Sequence, residues 1–284
     1  MYPILFTAQI PGIYAEETQP QKEFSMASRH IHDSLELYFL LEGERYYFVE
    51  QDTFYLKEGT AILINSDQMH KTSNVTGNTG HHRFLLQLDV SVLNQYFRFP
   101  DCTSLEEFGN NYWGVAEFSP EIWSQILDII DRLKQEMTSS LPESAEISRL
   151  LTMELVFLFM RGRRREALIS NSDTPGIYHK VHEIALYLQT HSSDPGSLDE
   201  IAAHFYISRP YLTRIFKSVT GFTVVEYLTV CRIRKAKVLL RETAMAITDI
   251  ADSTGFGNIT YFERVFKKMT QLTPLQYRKQ AGSE

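Results

Sequence analysis

The chain has 284 residues, 43% of them hydrophobic and 22% charged, which is typical of a globular protein of about two domains. It contains no apolar run of about 18 residues, which excludes a membrane-spanning helix, and its two cysteines are too few for a disulfide framework or a cysteine-based zinc site. Its first residues lack a basic leader and a long apolar core, so we expect no signal peptide and a cytoplasmic location.

The net charge of −7 is unevenly distributed along the chain. Residues 175–284 hold 14 Lys and Arg against 10 Asp and Glu, a net charge of +4, whereas residues 1–174 hold 14 against 25, a net charge of −11. The acidic total argues against a polyanion partner, but the basic C-terminal part permits one.

Residues from about 4 to 90 contain short runs rich in aromatic and β-branched residues, separated by glycines and by the segment SNVTGNTG. These runs are LELYFLLEG, RYYFVEQ, TFYLKEGTAILIN and HHRFLLQLDV. Short strands at this spacing are typical of a β-sandwich or β-barrel, so we expect a β domain over residues 1–118.

The period changes to that of helices from Ser119, which we expect to cap a helix that has Pro120 in its first turn. A second helix is predicted over about 144–162, and the two would form a hairpin over 119–165. The second helix is apolar on more than one side, so the β domain, a second subunit or both must cover it. We expect this hairpin to form a homodimer.

A Ser-, Asn-, Asp-, Pro- and Gly-rich stretch then predicts an interdomain linker at 166–177. Beyond it the sequence predicts short helices, and one unit occurs twice, over about 198–219 and 247–269. Each copy is a helix, a tight turn and a second helix. Ser208 caps the second helix of the first copy, and Asn258 caps that of the second copy. Such a helix–turn–helix can place its second helix in the major groove of DNA.

The second helix of each copy divides into an apolar and a polar face. The residues that we expect to pack inward are Tyr211, Leu212, Ile215, Phe216, Tyr261, Phe262, Val265 and Phe266. The residues that we expect to contact DNA are Arg209, Thr213, Arg214, Lys217, Asn258, Ile259, Thr260, Glu263, Arg264 and Lys267. Arginine suits guanine, threonine and isoleucine suit the thymine methyl group, glutamate suits cytosine, and lysine suits phosphate.

Residues 178–280 resemble the DNA-binding domain of AraC/XylS-type transcription regulators, on the motifs IAAHFYISRPYLTRIFK and ITDIADSTGFGNITYFERVFKKMTQLTPLQYR. The resemblance implies two helix–turn–helix units joined by a central helix, here about 224–241. It also implies that both units read promoter DNA, about one helical turn (roughly 34 Å) apart. Three residues depart from the family pattern: Pro210, Ala246 and Gln271. We therefore expect the two copies to contribute unequally to the affinity for DNA.

In the N-terminal part the spacing H-x-H-x3-E-x6-G begins at His30, and the spacing G-x10-H-x3-N begins at Gly59. Both spacings resemble the motifs of a cupin, the β-barrel that AraC-type regulators commonly carry as a sensor. In metal-binding cupins such residues bind the ion, which by this resemblance gives the set His30, His32, Glu36 and His70. The alternation of a strand places the first three of these on one face, with Tyr38.

Three interpretations of this set remain open: a metal site, a metal-free pocket for a small hydroxylated effector such as a sugar, and a purely structural cluster. We expect no cofactor. We assign effector binding to His30, His32, Glu36, Tyr38, His70 and Arg83, with Tyr46 and Gln87 as further liners. His81 and His82 flank a Gly-rich turn and are interpreted as surface residues.

We therefore predict an α+β protein of two domains, a cupin-like β-barrel with a helical hairpin and an all-α double helix–turn–helix domain at 178–284. The predicted function is that of a DNA-binding transcriptional activator, controlled by a small effector and acting with RNA polymerase. The alternative is a metal-dependent cupin enzyme fused to a DNA-binding domain. It depends on the His and Glu set alone, since no Ser/His/Asp grouping, P-loop or dinucleotide motif is present, so we expect no enzyme.

Overall fold

In this computed structural model the described residues are 4–19, 34–66, 68–75, 80–165 and 176–281. The chain divides into two units, Met1–Pro175 and Gly176–Glu284. The strands lie in the first unit, and the described part of the second unit is helical. The predicted α+β class, with an antiparallel β domain before an all-helical domain, is confirmed.

The first unit is built on antiparallel strands that pair in the order β1-β2-β7-β3-β5-β8, with β4 and β6 also paired to β3. The bounds of the strands are β1 Ile4–Ile10, β2 Ile13–Thr18, β3 Leu35–Val49, β4 Asp52–Lys57, β5 Thr60–Ile64, β6 His70–Asn74, β7 His81–Leu88 and β8 Gly114–Glu117.

Strand β3 is one long bent strand where the sequence predicts two strands separated at Gly43. Its first part pairs with β5 and β7, and its second part pairs with β4 and β6. The register against β7 shifts between Leu40 and Glu42, and Gly43 has a φ of 89°, which glycine adopts at little cost. The glycine therefore allows a bulge that bends the strand rather than ending it.

Side chains of β3 alternate between two faces of the sheet. Leu35, Leu37 and Phe39 lie in the main hydrophobic core, which the helices of this unit complete. Glu36 and Tyr38 lie on the opposite face and are also buried. The helices are α1 Val90–Leu93, α2 Leu105–Tyr112, α3 Pro120–Thr138 and α4 Ser144–Arg165.

Helices α3 and α4 form the predicted hairpin. The Ser119 side chain caps α3, and Pro120 is in its first turn. Helix α4 packs against α3 and β8, and Leu155 has no exposed surface, whereas Leu150 is 66% exposed. Most of the apolar surface of α4 is thus covered within the chain, and Leu150 is an exposed apolar residue on its outer face.

The second unit consists of α5 Gly176–Thr190, α6 Leu198–His204, α7 Arg209–Thr220, α8 Val224–Glu242, α9 Ile247–Ser253, α10 Ile259–Thr270 and α11 Pro274–Ala281. Capping boxes open α6 and α8, at Ser197 and Thr223, because each hydroxyl and a glutamate three residues later exchange bonds with the backbone. None of the described helices is long and apolar enough to cross a membrane.

Candidate nucleic-acid interface and effector site

The pairs α6–α7 and α9–α10 form two helix–turn–helix units with the same turn. The Ile207 amide donates to the carbonyl of Ala202 at 3.0 Å, and the Phe256 amide donates to that of Ala251 at 2.9 Å. The preceding residue in each turn is left-handed, Tyr206 with a φ of 56° and Gly255 with a φ of 86°. The second copy then has one extra residue before its capping Asn258.

The second helices α7 and α10 bury the apolar face that the sequence predicts, with one exception in each copy. Leu212, Phe216, Phe262 and their neighbours are buried, but Tyr211 is 39% exposed and Tyr261 is 42% exposed. The prediction that the two tyrosines pack inward is therefore wrong. They lie in the first turn of their helices, at the edge of the exposed side of each helix. There each ring contacts an arginine three residues later.

The two arginines are placed alike. The Arg214 guanidinium carbon is 5.3 Å from the centre of the Tyr211 ring, and the Arg264 guanidinium carbon is 5.4 Å from that of Tyr261. Neither guanidinium makes a hydrogen bond or ion pair within the parts of the chain that the structure describes. Each arginine thus keeps the N–H donors that could bind a guanine edge.

The remaining residues predicted to contact DNA differ in what they already bind. Arg209 donates to the Asp199 carboxylate at 3.1 Å, and the Asn258 side chain accepts the backbone N–H of Tyr261 as a helix cap. Ile259 is half-buried against the apolar cluster formed by α8, α9 and α10. The residues of the set that are exposed on α7 and α10 are Arg209, Thr213, Arg214, Lys217, Thr260, Glu263, Arg264 and Lys267.

The helix ends reflect the departures from the family pattern. Helix α7 ends at Gly221 with a φ of 79°, and α10 ends at Gln271 in the same left-handed conformation with a φ of 61°. Glutamine therefore occupies a conformation that favours glycine instead of changing how the helix ends. Ala246 begins α9 without a side-chain cap.

In the first unit, Glu36 lies at the centre of a cluster on the sheet face opposite the helices. The Tyr47 hydroxyl donates to Glu36 Oε1 at 2.8 Å, and His70 Nε2 lies 3.8 Å from Glu36 Oε2. His70 Nδ1 is 2.9 Å from the Gln68 carbonyl oxygen, which only a protonated nitrogen can bond. We call this side of the sheet the polar face.

Tyr38 lies on the polar face beside Tyr47, with ring centres 5.2 Å apart in an edge-to-face contact. Its hydroxyl is buried and has no hydrogen-bond partner among the described residues. Burial raises the pKa of this hydroxyl to about 12, so it is a neutral donor at physiological pH. An unpartnered buried hydroxyl is costly, which indicates a place where a ligand group could bind.

A polar network continues from there across β7, β2 and β1. The Arg83 guanidinium lies 5.8 Å from the Tyr38 ring centre and donates to Glu16 at 2.5 Å. The Tyr14 hydroxyl donates to the other oxygen of Glu16 at 2.9 Å, and Thr7 donates to that hydroxyl at 3.3 Å. The sequence predicts Arg83 in this site but not Thr7, Tyr14 or Glu16, because their strands carry no recognisable motif.

The structure brings together four of the six predicted effector residues: Glu36, Tyr38, His70 and Arg83. His30 and His32 lie outside the described residues. In the described ranges no group of three or more His, Cys, Asp and Glu side chains could hold a metal ion. Tyr46, which was expected to line the site, is the neighbour of Tyr47 in β3 and therefore lies on the other face of the sheet. Its ring contacts that of Tyr55.

The prediction that His81 and His82 are surface residues is wrong. His81 is 4% exposed, and burial, together with the nearby charges of Arg45 and Arg83, lowers its pKa to about 3. Its neighbour His82 bonds Glu17, with 2.7 Å between Nε2 and the carboxylate. The bend of β3 at Gly43 packs against the start of β7, which explains the burial of His81.

Comparison with known families finds two matches that together span most of the chain. Residues 11–160 match the AraC-like ligand binding domain, and residues 201–280 match a helix-turn-helix domain. The first match covers the sheet except β1 and the helices of that unit except the end of α4. The second covers both helix–turn–helix units except the start of α6.

Similar proteins are regulators. The chain is 24% identical to the HTH-type transcriptional activator RhaR of Escherichia coli (strain K12), over 96% of this chain and 93% of that protein. It is also 24% identical, with the same coverage, to the uncharacterised HTH-type transcriptional regulator YdeC of Bacillus subtilis (strain 168). Among solved structures, apo ToxT from Vibrio cholerae is similar over 95% of this chain and 98% of that one, with 14% identity and a TM-score of 0.41.

Proposed function

Because the chain belongs to the AraC family of transcriptional regulators, which join a ligand-binding domain to a helix–turn–helix domain, we propose that it activates transcription in response to a small neutral polyhydroxylated effector such as a sugar. Activation is supported by the similar protein RhaR, which is named as an activator. An activator in this family acts on promoter DNA together with RNA polymerase. We place this activity in the cytoplasm.

The buried Tyr38 hydroxyl is the observation that carries the effector assignment. It lies among groups that already satisfy one another's charge, such as Arg83 with Glu16. A charged effector would have to break such a pair or be buried without a counter-ion, which is costly. A neutral polyol both donates and accepts hydrogen bonds, and its apolar faces suit the rings of Tyr38 and Tyr47.

We propose that the site works without a metal or other cofactor. Glu36 and His70 are the two candidate ligands that the structure describes, and the Glu36 carboxylate already accepts the Tyr47 hydroxyl. Metal analysis of protein purified without chelator, with His32→Ala as the comparison, tests this. Stoichiometric metal that the substitution removes would contradict the proposal and would revive the enzyme alternative.

DNA reading is assigned to the exposed faces of α7 and α10, and we propose that the protein acts as a homodimer through the face of α4 around Leu150. An effector that binds one arrangement of the protein better than another shifts the population toward it, and this couples the ligand to DNA affinity.

Thermal shift of the full chain tests the effector assignment. Neutral monosaccharides, their sugar-acid counterparts and amino sugars are compared, since a ligand of the folded state raises the melting temperature. We expect a shift with a neutral sugar, and we expect Tyr38→Phe to lose it without lowering the melting temperature of the free protein. Shifts with the charged compounds alone would contradict the assignment.

A further inference from the structure

Tyr211 and Tyr261 share an environment that their helix position alone does not require. Each ring is about two-fifths exposed and lies next to the guanidinium of the arginine three residues later, with separations of 5.3 and 5.4 Å. An arginine over an aromatic ring within about 6 Å is attracted by the electrons of the ring face. The same arrangement therefore occurs twice, once on each predicted DNA-reading helix.

In the second copy the tyrosine ring is itself supported. Phe256, in the turn before α10, contacts the Tyr261 ring with centres 5.9 Å apart, and the Arg232 guanidinium of α8 lies 5.9 Å from the Phe256 ring. Arg232 is held in turn by donating from Nε to the Ser192 carbonyl at 2.7 Å. The two neighbouring rings of Phe256 and Tyr261 thus form a bridge between the Arg232 guanidinium of α8 and the guanidinium of Arg264.

The first copy lacks this support. Ile207 occupies the position that Phe256 has in the second copy, as the equivalent turn hydrogen bonds show. In the described part of the chain, Tyr211 makes no contact with another aromatic ring. Arg214 therefore rests on a ring that is less firmly held.

We propose that Tyr211 and Tyr261 are positioning residues that hold Arg214 and Arg264 ready to contact a base, and that Tyr261 does so more strongly. The inference rests on the proposed role of α7 and α10 in reading DNA. A free arginine side chain loses rotamer freedom when it binds, and an arginine already packed on a ring loses less. The ring face supplies this effect, so the tyrosine hydroxyl is not required.

The test uses the full chain and selection from a randomised DNA duplex library, which gives the base preference at each position of the bound site. The wild type is compared with Arg264→Ala, Tyr261→Leu, Tyr261→Phe and the double variant Tyr261→Leu/Arg264→Ala. Tyr211→Leu provides the matched substitution in the first copy. Dissociation constants are then measured on the selected duplex and on its single-base variants.

We expect Tyr261→Leu to weaken binding by about two- to fivefold and to relax the base preference at the same position as Arg264→Ala. Tyr261→Phe should behave like the wild type, Tyr211→Leu should have a smaller effect, and Tyr261→Leu should add nothing in the Arg264→Ala background. A loss of affinity that is equal on all sequences, or full additivity in the double variant, would overturn the inference.

The outcomes separate this inference from the function on which it rests. If Arg264→Ala relaxes one position and Tyr261→Leu leaves that position unchanged, DNA reading stands and the positioning role is wrong. If the wild-type chain enriches no sequence, the proposed function is itself wrong, and the inference falls with it.

Discussion

The hydroxyl of Tyr47 donates a hydrogen bond of 2.8 Å to the buried carboxylate of Glu36. Glu36 is 4% exposed, and a carboxylate in such surroundings depends on its hydrogen-bond donors. Tyr47 is fully buried as well, so water cannot replace its hydroxyl without rearrangement. This bond is therefore a point where the stability of the polar face can be measured.

We predict that Tyr47→Phe lowers the free energy of unfolding by about 1–3 kcal/mol, because it leaves a buried carboxylate short of a donor. Urea unfolding followed by tryptophan fluorescence measures this, since Trp113 and Trp123 both lie in the first unit. Tyr96→Phe is the control, because Tyr96 is 46% exposed and should change stability little. Equal effects of the two substitutions would show that the bond contributes nothing special.

The buried His81 makes the stability of the first unit depend on pH. Its pKa of about 3 in the folded state is below the ordinary value of 6.5, so the unfolded chain binds this proton more readily. His81 therefore costs no stability above pH 6.5. As the pH falls from 6.5 toward 3, the free energy of unfolding declines by up to about 1.4 kcal/mol per pH unit. In His81→Gln this decline should be shallower, and an unchanged pH profile would contradict the burial of a neutral imidazole.

The ion pair between Arg209 and Asp199 competes with the predicted contact of Arg209 with DNA. The pair is exposed, so its loss should change the free energy of unfolding by less than about 1 kcal/mol. We predict that Asp199→Asn tightens DNA binding, because it frees Arg209 and removes a negative charge near the DNA. Electrophoretic mobility shift measures the affinity for DNA. The double variant Asp199→Asn/Arg209→Ala is the control, since the gain in affinity should be smaller there.

The left-handed ends of α7 and α10 allow a paired test of backbone strain. Gln271→Gly should stabilise the second unit by about 0.5–1 kcal/mol, since a side chain in this conformation costs more than the flexibility of glycine in the unfolded chain. Gly221→Ala should destabilise the same unit. Circular dichroism of thermal unfolding measures both. A destabilised Gln271→Gly would mean that the hydrogen bond of 3.2 Å from the Gln271 side-chain amide to the Lys268 carbonyl outweighs the strain.

Dimerisation is best tested at Leu150. Leu150→Glu places a charge on an exposed site, so we expect folded monomers by analytical ultracentrifugation. The substitution Leu155→Glu, which the helical pattern alone suggests, would instead bury a charge in the core and unfold the chain. An unchanged dimer of Leu150→Glu would exclude this face of α4 from the interface.

The sequence was most informative where local chemistry determines structure. Ser119, Ser208 and Asn258 cap helices as predicted, because a side-chain oxygen that caps an N-terminus acts within three residues. The two helix–turn–helix units follow from such local signals and from their repetition.

The polar face was harder to predict because it depends on a bulge. The shift between Leu40 and Glu42 changes the parity of β3, so Tyr47 joins Glu36 and Tyr38 although simple alternation assigns it to the other face. Glu16 reaches the same face through pairing with a strand about seventy residues away, which no local pattern encodes.

The tyrosines Tyr211 and Tyr261 were misassigned for a different reason. Periodicity places an aromatic residue at the edge of the apolar face inside the core, whereas the contact with Arg214 or Arg264 stabilises it at the surface. An arginine three residues after an aromatic residue, repeated in both copies, is the signal that could have indicated this.

The base preference of the Arg264→Ala variant tests most directly whether α10 reads DNA through Arg264. On the selected duplex, Arg264→Ala should cost about 1–3 kcal/mol and lower discrimination between bases, whereas Lys267→Ala should weaken binding to all sequences and reduce the salt slope by about one unit. Affinity and base preference that are unchanged in Arg264→Ala would contradict this account.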